Sequence, residues 1–423
     1  MKTLASLEDF DLLIEESYKM DSEVDRINLL CEYHLAAEAV SAEMFNVDPF
    51  SLQYKHACRE FLLKVTARAG YSPSENEKWD FLSEFEHGIY VPSIYRYKES
   101  RFLGDVYSAA GSILKALDVR AGDSVLEYGA GDGQLALSLA RMGCRVSVID
   151  VEERYLKIIE RQAAAFGVNL NLVKGLFGDR LGDERFDRIL FYEAFHHAFE
   201  HQELIRKLKK LVNDRGRVIL AGEPIFARSS HWRQAVPFSW GPRLDGLSIR
   251  SMRAEGWCEL GFQREYLVEA FMRNGWLVSY IPGTGSDRGQ VYSATLSDND
   301  IDCGSPLLFE TTKVDNGWHE GEGSHRWTAG NASIALDQTR RATTIEMALV
   351  NLLPIVRSGK LIAGSSTKSF SVPPGHTANL ALTLPTDYDV LQICCDPVKV
   401  CDIAPGSTDP RLVGIAVSRI SYR

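Results

Sequence analysis

The spacing of hydrophobic residues divides the chain into three stretches, of which the first is helical. Over residues 7–85 apolar residues recur every three or four positions, as at Ile27, Leu30 and Tyr33, and this spacing predicts amphipathic helices. No strand pattern interrupts them. We therefore predict a helical N-terminal region over residues 1–100 that forms a lid, forms a dimer surface in a homo-oligomer, or simply packs against the rest of the chain.

A regular alternation of strand and helix patterns follows from about residue 101. Parallel strands need such helical crossovers, so the alternation predicts an open α/β sheet. The predicted strands are 124–128, 145–150, 170–174, 185–192, 217–223, 277–281 and 290–296, with helices over 134–142, 152–166, 200–212 and 263–273. Residues 224–256 show little periodicity, and we expect a long excursion there at the carboxyl edge of the sheet.

Beyond residue 298 the pattern changes to short alternating runs separated by Gly, Pro, Asn and Asp. In residues 379–384, for example, Leu380, Leu382 and Leu384 share one face of a strand. These runs predict an all-β sandwich domain. The chain is thus expected to consist of a helical region (1–100), an α/β domain (101–297) and a β-sandwich domain (298–423).

Composition and charge restrict the partners of this chain. Its 57 acidic and 47 basic side chains give a net charge of -10, which disfavours nucleic acid as a partner. No run of about 20 apolar residues and no secretory signal is recognisable, so we expect no transmembrane segment and a cytoplasmic location. The eight cysteines form no CxxC pair and are expected to be reduced thiols.

The strongest local signal is a glycine turn after the first predicted strand, in the sequence Glu127-Tyr-Gly-Ala-Gly-Asp-Gly. Glycines lack Cβ, so the backbone can approach a ligand closely at the start of the next helix. A dinucleotide fingerprint would have its third glycine at position 134, where this chain has Gln134. Asp150 ends the next strand, where a carboxylate can accept hydrogen bonds from both hydroxyls of a ribose.

The pattern E-x-G-x-G-x-G followed by Asp150 closely resembles the first motifs of class I S-adenosylmethionine-dependent methyltransferases. The likeness covers about residues 101–296. It implies an α/β fold with a Rossmann-like seven-stranded sheet and S-adenosyl-L-methionine as the cofactor, with Asp179 near the adenine amino group. The cofactor-binding residues that the resemblance implies are Glu127, Gly129, Ala130, Gly131, Asp150, Val151, Asp179, Glu193 and Tyr97.

The catalytic candidates follow the fourth strand of the α/β region. Methyl transfer from a sulfonium needs mainly alignment, but an unionised hydroxyl acceptor also needs a base. His197 or His196 is the candidate base, and Glu223 is a second candidate or an orienting partner. The histidines could instead cap a helix or line the pocket without titrating. We expect no metal, because His197 and His201 are four apart but lack the HExxH order and a clear carboxylate cluster.

Acceptor binding is predicted in the excursion and in the C-terminal domain. Aromatic and basic side chains can stack on a ring and bind an anionic group, although tryptophans could instead pin the excursion to the sheet. The predicted substrate-binding residues are Arg228, His231, Trp232 and Trp240. Trp318 and Trp327 likewise either stack on sugars or fill the core of the sandwich, of which the second is favoured.

The C-terminal segment loosely resembles the β-sandwich modules of bacterial surface-polysaccharide methyltransferases and glycosyltransferases, on the runs 317–328 and 409–417. The resemblance implies O-methylation of a sugar hydroxyl in a cell-surface glycan or its precursor. One alternative is a small-molecule (secondary metabolite) O- or N-methyltransferase. Another is a glycan-binding or assembly protein with a vestigial methyltransferase core. The acceptor is thus expected to be a small molecule or a glycan.

Overall fold

The computed structural model describes residues 2–78, 89, 95, 98–227, 234–283, 286–296, 300–303, 317–322, 324–335, 343–385 and 390–422. The chain forms two compact units. The first contains Met1–Ala270 and Ile281–Thr295, and the second contains Phe271–Tyr280 and Leu296–Arg423. The N-terminal region lies within the same unit as most of the α/β region, and the boundary near residue 100 stays a prediction.

The N-terminal region consists of short capped helices and one small sheet. Ser6 caps the first helix, where its hydroxyl accepts the backbone N–H of Asp9 at 3.2 Å. The elements are β1 (Lys2–Leu4), α1 (Leu7–Ser17), α2 (Glu23–Cys31), β2 (Tyr33–Leu35), α3 (Glu43–Asn46), α4 (Leu52–Thr66) and α5 (Pro73–Asn76). β1 and β2 pair in parallel. The expectation of an uninterrupted helical region is therefore wrong, because two three-residue strands are too short to show a periodicity.

The α/β region builds parallel strands with helical crossovers. Its elements are α6 (Ser100–Leu117), β3 (Ser124–Tyr128), α7 (Gln134–Arg141), β4 (Arg145–Asp150), α8 (Glu153–Phe166), β5 (Asn171–Lys174), β6 (Phe186–Tyr192), α9 (His201–Leu208) and β7 (Val212–Ala221). β7, β6, β3, β4 and β5 are neighbours in this order and all parallel. Every residue of β3 is buried, as expected for a central strand that helices cover on both faces.

The excursion after β7 is more regular than the sequence pattern predicts. It contains β8 (Ile225–Phe226), β9 (Trp240–Pro242), α10 (Gly246–Glu255) and β10 (Leu260–Gln263). β10 lies between β8 and β9 in a separate three-stranded sheet. These elements leave little periodicity in the sequence, since strands of two to four residues are held by long-range pairing rather than by a local pattern.

Two further strands follow the excursion. After α11 (Arg264–Met272) come β11 (Trp276–Ile281) and β12 (Val291–Leu296). Within the first unit the strand order is β12-β7-β6-β3-β4-β5, and β12 runs antiparallel to β7. The carboxyl ends of the parallel strands therefore share one edge, where the ligands of open α/β sheets bind. Among the described residues, no helix combines the length and the apolar character needed to cross a membrane.

The described C-terminal residues of the second unit form two large antiparallel sheets and one two-stranded sheet. The elements are β13 (Asp300–Asp302), β14 (Trp318–Gly321), β15 (Arg326–Thr328), β16 (Asn331–Ala335), β17 (Thr344–Val350), β18 (Arg357–Ala363), β19 (Ser366–Val372), β20 (Thr377–Thr383), β21 (Val390–Cys395), β22 (Val398–Lys399), α12 (Val400–Ile403), β23 (Leu412–Val413) and β24 (Ala416–Tyr422). The first large sheet has the order β14-β15-β24-β17-β20, with β13 also paired to β24, and the second has the order β16-β21-β18-β19. β22 and β23 form the small sheet.

The two sheets share one hydrophobic core. Met347 and Ile420 from the first sheet belong to the same buried cluster as Leu361 and Leu391 from the second. Trp327 is buried in a neighbouring cluster, and the indole N–H of Trp318 donates to the Ser333 carbonyl at 2.8 Å. Both tryptophans are thus held by the packing of this unit, as the favoured sequence interpretation expects.

Candidate active site

The three glycines of the turn after β3 have left-handed backbones for different reasons. Their φ angles are 66°, 53° and 74° for Gly129, Gly131 and Gly133. A Cβ on Gly129 would lie 3.0 Å from the Ala194 Cβ, and one on Gly133 would lie 2.5 Å from the Ile159 Cγ1. A Cβ on Gly131 would meet no atom within 4 Å. Gly129 and Gly133 therefore allow close packing, whereas the backbone at Gly131 borders open space that a ligand can fill.

Glu127 places an unsatisfied carboxylate beneath this turn. The side chain is buried, and its Oε2 has no hydrogen-bond partner among the described residues. Burial raises the pKa of Glu127 to about 8, because the charged form is poorly solvated there. A buried carboxylate oxygen without a donor suits the positively charged amino group of a ligand, which would restore the charged form.

Asp150 stands at the carboxyl end of β4, as the sequence predicts. Its Oδ1 accepts the backbone N–H of Glu152 at 2.8 Å. Burial raises the pKa of Asp150 to about 6. Asp150 and Val151 both line the cavity described below, so the carboxylate is available to hydroxyl donors of a ligand.

Asp179 lies in the loop after β5, and its role near the adenine amino group stays a prediction. Its carboxylate accepts the backbone N–H of Leu176 at 2.8 Å, and Asp179 is not among the residues that line the cavity. Gly175, Leu176 and Phe177 line it instead. Asp179 therefore supports the loop after β5, and the loop itself contacts the cavity.

One cavity of about 440 Å³ within the first unit brings the glycine turn and the histidine segment together. Of the residues predicted from sequence, Gly129, Gly131, Asp150, Val151, Glu193 and His197 line it. Sequence reasoning missed Arg59, Tyr71, Glu77, Phe199 and Trp257, which also line it. Arg59, Tyr71 and Glu77 come from the N-terminal region, so this region forms part of the cavity wall.

Glu193 lies at the point where β6 turns into the histidine segment. Its φ of 49° is in the left-handed region, which costs energy for a residue with a side chain. The Glu193 Oε1 lies 2.6 Å from the Arg288 Nη1. This ion pair holds the side chain at the cavity wall, where its role in binding the cofactor stays a prediction.

His196 is buried and is oriented by Glu223. The His196 Nδ1 lies 2.8 Å from the Glu223 Oε2, and the same carboxylate accepts the backbone N–H groups of Ala194, Phe195 and His196. Burial raises the pKa of Glu223, but His196 and the backbone donors more than offset this, so the pKa lies below its ordinary value. With four hydrogen-bond partners on its two oxygens, Glu223 is positioned to orient the turn and the His196 ring, and its catalytic role stays a prediction.

His197 faces the cavity beside a second carboxylate. Its Nδ1 lies 3.0 Å from the Glu77 Oε2, while the Glu77 Oε1 accepts the Tyr71 hydroxyl and the backbone N–H of Cys258. Burial alone lowers the pKa of His197, but Glu77 and more distant carboxylates raise it to about 9. His197 is therefore mostly an imidazolium at neutral pH in the protein without ligands, and a base needs the neutral ring.

Glu259, which directly precedes β10, is a third acidic side chain beside the histidine pair. The Glu259 Oε2 lies 3.5 Å from the His196 Nε2 and 4.0 Å from the Arg243 Nη1. One ligand atom from each of His196, His197 and Glu259 falls within 4.8 Å of the others. Nothing in the spacing of the sequence indicates this group, since Glu259 precedes a short strand in a stretch without a clear pattern.

Trp240 and His201 belong to the interior rather than to the site. Trp240 is 1% exposed, and its indole N–H donates to the Pro49 carbonyl at 2.9 Å. The prediction that Trp240 binds substrate is therefore wrong, because the side chain fills an aromatic core. The His201 Nε2 lies 2.7 Å from the Tyr266 hydroxyl, and burial lowers its pKa to about 3. The predictions for Arg228, His231, Trp232 and Tyr97 lie outside the described residues.

Known proteins resemble the α/β part of this chain. Residues 125–216 match the family model described as "Methyltransferase domain". An uncharacterized methyltransferase of Geobacillus thermodenitrificans is 28% identical over 214 residues, which are 48% of this chain and 91% of that protein. A ubiquinone biosynthesis O-methyltransferase of Xanthomonas axonopodis is 29% identical over 105 residues, 24% of this chain and 43% of that protein.

A solved structure of magnesium protoporphyrin IX methyltransferase from Synechocystis is also similar to this chain. It has 17% identity and a TM-score of 0.38, and the match covers 51% of this chain and 94% of that one. The matched family model spans β3 to β7, with the glycine turn and Asp150. Residues 125–216 are therefore part of a class I S-adenosylmethionine-dependent methyltransferase domain.

Proposed function

We propose that this protein transfers the methyl group of S-adenosyl-L-methionine to a hydroxyl oxygen of an acceptor bound in the 440 Å³ cavity. One observation carries the proposal. The same cavity is lined by the turn residue Gly131, by Asp150, and by the pair His197 and Glu77. A cofactor site and groups able to handle a proton therefore share one cavity, as methyl transfer to an oxygen requires.

The cofactor is held by the carboxyl ends of β3 and β4. Glu127 receives the amino group of the methionine part, and the backbone from Gly129 to Gly131 borders the same part. Asp150, with Val151 beside it, binds the ribose hydroxyls. The unpartnered Glu127 oxygen and the open space at Gly131 support this assignment, because each is a feature that a bound ligand would complete.

When bound, S-adenosyl-L-methionine would supply the methyl group: the acceptor oxygen would bond to the methyl carbon, and the electron pair of the broken carbon–sulfur bond would stay on sulfur in S-adenosylhomocysteine. His197 or Glu77, which both line the cavity, would take the hydroxyl proton. The positive charge of the bound cofactor would lower the pKa of His197 by like-charge repulsion, which would favour the neutral ring as proton acceptor.

A sugar hydroxyl in a cell-surface glycan or its precursor is the proposed acceptor. The aromatic rings of Tyr71, Phe199 and Trp257 line the cavity together with the charged groups of Arg59 and Glu77. Aromatic faces with hydrogen-bonding groups between them are suited to a sugar ring, which is apolar on its faces and polar at its edge. The two-sheet C-terminal unit is proposed to be a β-sandwich module that serves the same acceptor, in a cytoplasmic enzyme.

A planar phenolic hydroxyl is the second candidate acceptor. The relatives include O-methyltransferases of ubiquinone biosynthesis, and the aromatic residues that line the cavity would also stack on a planar ring. The two candidates differ in their need for a base, because a phenol ionises far more readily than a sugar hydroxyl. Loss of the His197 and Glu77 pair should therefore affect a phenol less.

Calorimetry and a methyl-transfer assay test the proposal. S-adenosylhomocysteine should bind with a stoichiometry of one, and replacing His197 by Gln should leave its affinity within about threefold while reducing turnover about 100-fold. Extracted glycan precursors and phenols serve as acceptors, with mass spectrometry to detect the added methyl group. Absence of cofactor binding would indicate a vestigial core, and unchanged turnover in both the His197→Gln and the Glu77→Gln variant would exclude this pair.

A further inference from the structure

We infer that His196, His197 and Glu259 form a binding site for one divalent first-row transition cation, such as Zn²⁺ or Mn²⁺. The three residues offer ligand atoms that all lie within 4.8 Å of one another. They come from two separate segments, the 3-10 turn Phe195–His197 and the residue that precedes β10 (Leu260–Gln263). Two imidazoles and one carboxylate are a ligand set that favours first-row transition cations over Mg²⁺ or Ca²⁺.

His196 is oriented in the way that metal-binding histidines are. Its Nδ1 is hydrogen-bonded to the Glu223 carboxylate at 2.8 Å. A carboxylate that accepts the N–H on one ring nitrogen leaves the other nitrogen free for a cation, and this is how most histidine ligands are held. The Glu77 carboxylate lies 3.0 Å from the Nδ1 of His197, beside the second ring.

The distance between His196 and Glu259 supports a shared ligand. The His196 Nε2 and the Glu259 Oε2 are 3.5 Å apart, which is long for a direct hydrogen bond. Two atoms bound to the same tetrahedral Zn²⁺, each at about 2.1 Å, are separated by about 3.4 Å. The pair is thus already spaced for one cation between them, and the His197 ligand atom lies within 4.8 Å of both.

The charge around the histidines also favours a cation. Glu77, Glu223 and Glu259 are carboxylates that face the pair. Arg243 lies 4.0 Å from Glu259 but is bonded more closely to Asp245, at 2.8 Å. Three carboxylates thus surround this pair in a buried place, and buried charge of one sign is costly unless a counter-charge is bound. A divalent ion supplies that charge.

Only one of the three proposed metal ligands lines the cavity that is proposed for methyl transfer. His197 lines the cavity, whereas His196 and Glu259 are not among its lining residues. A cation bound there would fix the ring of His197 and would leave Glu77 as the cavity group that accepts the acceptor's proton. Metal binding itself does not require methyl transfer, so the inference goes beyond the proposed function.

Direct metal titration tests the inference. The full chain, purified without a polyhistidine tag, is treated with a chelator, dialysed, and titrated with Co²⁺ and Zn²⁺ by visible absorption and calorimetry. We expect about one equivalent to bind, and both Glu259→Gln and His197→Gln to weaken binding at least tenfold. Glu259→Gln keeps the side-chain volume, and His197→Gln provides a second variant if the first folds poorly.

His56→Gln is the matched control. His56 forms an exposed pair with Glu60 at 3.2 Å, so it reports adventitious binding to a surface histidine and carboxylate. This variant should bind the cation as the unmodified chain does. Binding by the unmodified chain that is no tighter than binding by Glu259→Gln would overturn the inference. Calorimetry with S-adenosylhomocysteine on the chelator-treated chain separates this result from the proposed function, because a missing metal site would leave cofactor binding intact.

Discussion

The Glu223 carboxylate is hydrogen-bonded to the His196 ring at 2.8 Å and accepts three consecutive backbone N–H groups of the same turn. One buried side chain at the end of β7 thus fixes the backbone after β6 as well as the orientation of a histidine. Because both oxygens are occupied, the carboxylate cannot be replaced without leaving buried donors unpaired. The position of His197, the next residue, depends on the same turn.

Replacing Glu223 by Gln should lower the free energy of unfolding by roughly 2–4 kcal/mol. The amide keeps the shape, but its NH₂ group would face backbone N–H donors that now bond to a carboxylate oxygen. Urea denaturation measures the change. Glu153→Gln is the control, because Glu153 pairs with Lys157 at an exposed site and should cost less than about 0.5 kcal/mol. Equal losses in the two variants would contradict the role given to Glu223.

Gly131→Ala should weaken cofactor binding specifically. Gly131 and Gly167 both have positive φ, 53° and 67°, and a Cβ on either would meet no atom within 4 Å. Alanine at either position should therefore cost roughly 1–2 kcal/mol of stability through backbone strain. Calorimetry with S-adenosylhomocysteine should show a loss of affinity of about tenfold or more for Gly131→Ala alone, since only Gly131 lines the cavity. A similar loss for Gly167→Ala would show that strain, not contact, is responsible.

Glu127 should make the ligand-free protein less stable as the pH rises. Burial raises its pKa from 4.5 to about 8 in the folded protein, so the folded state holds the proton more tightly than the unfolded state does. That stabilisation is complete below pH 4.5 and is lost as the pH rises through 8. Between about pH 5 and about pH 8 the free energy of unfolding of Glu127→Gln should therefore rise by roughly 2–4 kcal/mol relative to that of the unmodified protein. Denaturation at the two pH values measures this change.

The comparison of Glu127→Gln with the unmodified protein can also contradict this prediction. Asp150, whose pKa is also raised, remains in both proteins and contributes to both pH profiles. Parallel profiles for Glu127→Gln and the unmodified chain would mean that Glu127 is not protonated by burial. Saturating S-adenosylmethionine should reduce the difference between the two proteins at high pH, because its amino group stabilises the charged carboxylate.

Asp150→Asn and Asp179→Asn should differ in their effect on cofactor affinity. Asp150 lines the cavity, and loss of its charge should weaken the binding of S-adenosylhomocysteine about tenfold or more. Asp179 accepts the backbone N–H of Leu176, a bond that an asparagine oxygen can also accept, so affinity should change less than about threefold. The reverse order in calorimetry would instead place Asp179 against the adenine, as the family resemblance implies.

The sequence determined the central part of the α/β region through local patterns. β3 and β4 begin and end at the residues that the sequence predicts, because buried parallel strands are short apolar runs bounded by turns. The glycine turn and Asp150 follow those strands directly, so their place at the sheet edge follows from the strands. The same reasoning positioned His197 after β6, and the other strands and helices predicted for the α/β region lie within a few residues of the observed bounds.

Only the tertiary structure decided which residues join that edge. The Glu77 carboxylate accepts the backbone N–H of Cys258 at 2.7 Å, although the two residues are 181 positions apart. Glu77 and Glu259 thus lie beside the histidine pair from two distant parts of the sequence. Trp240 is of a residue type that often stacks on ligands, but its side chain lies in the core. Local periodicity shows whether a segment is helix or strand, but contacts between distant segments depend on how the whole unit packs.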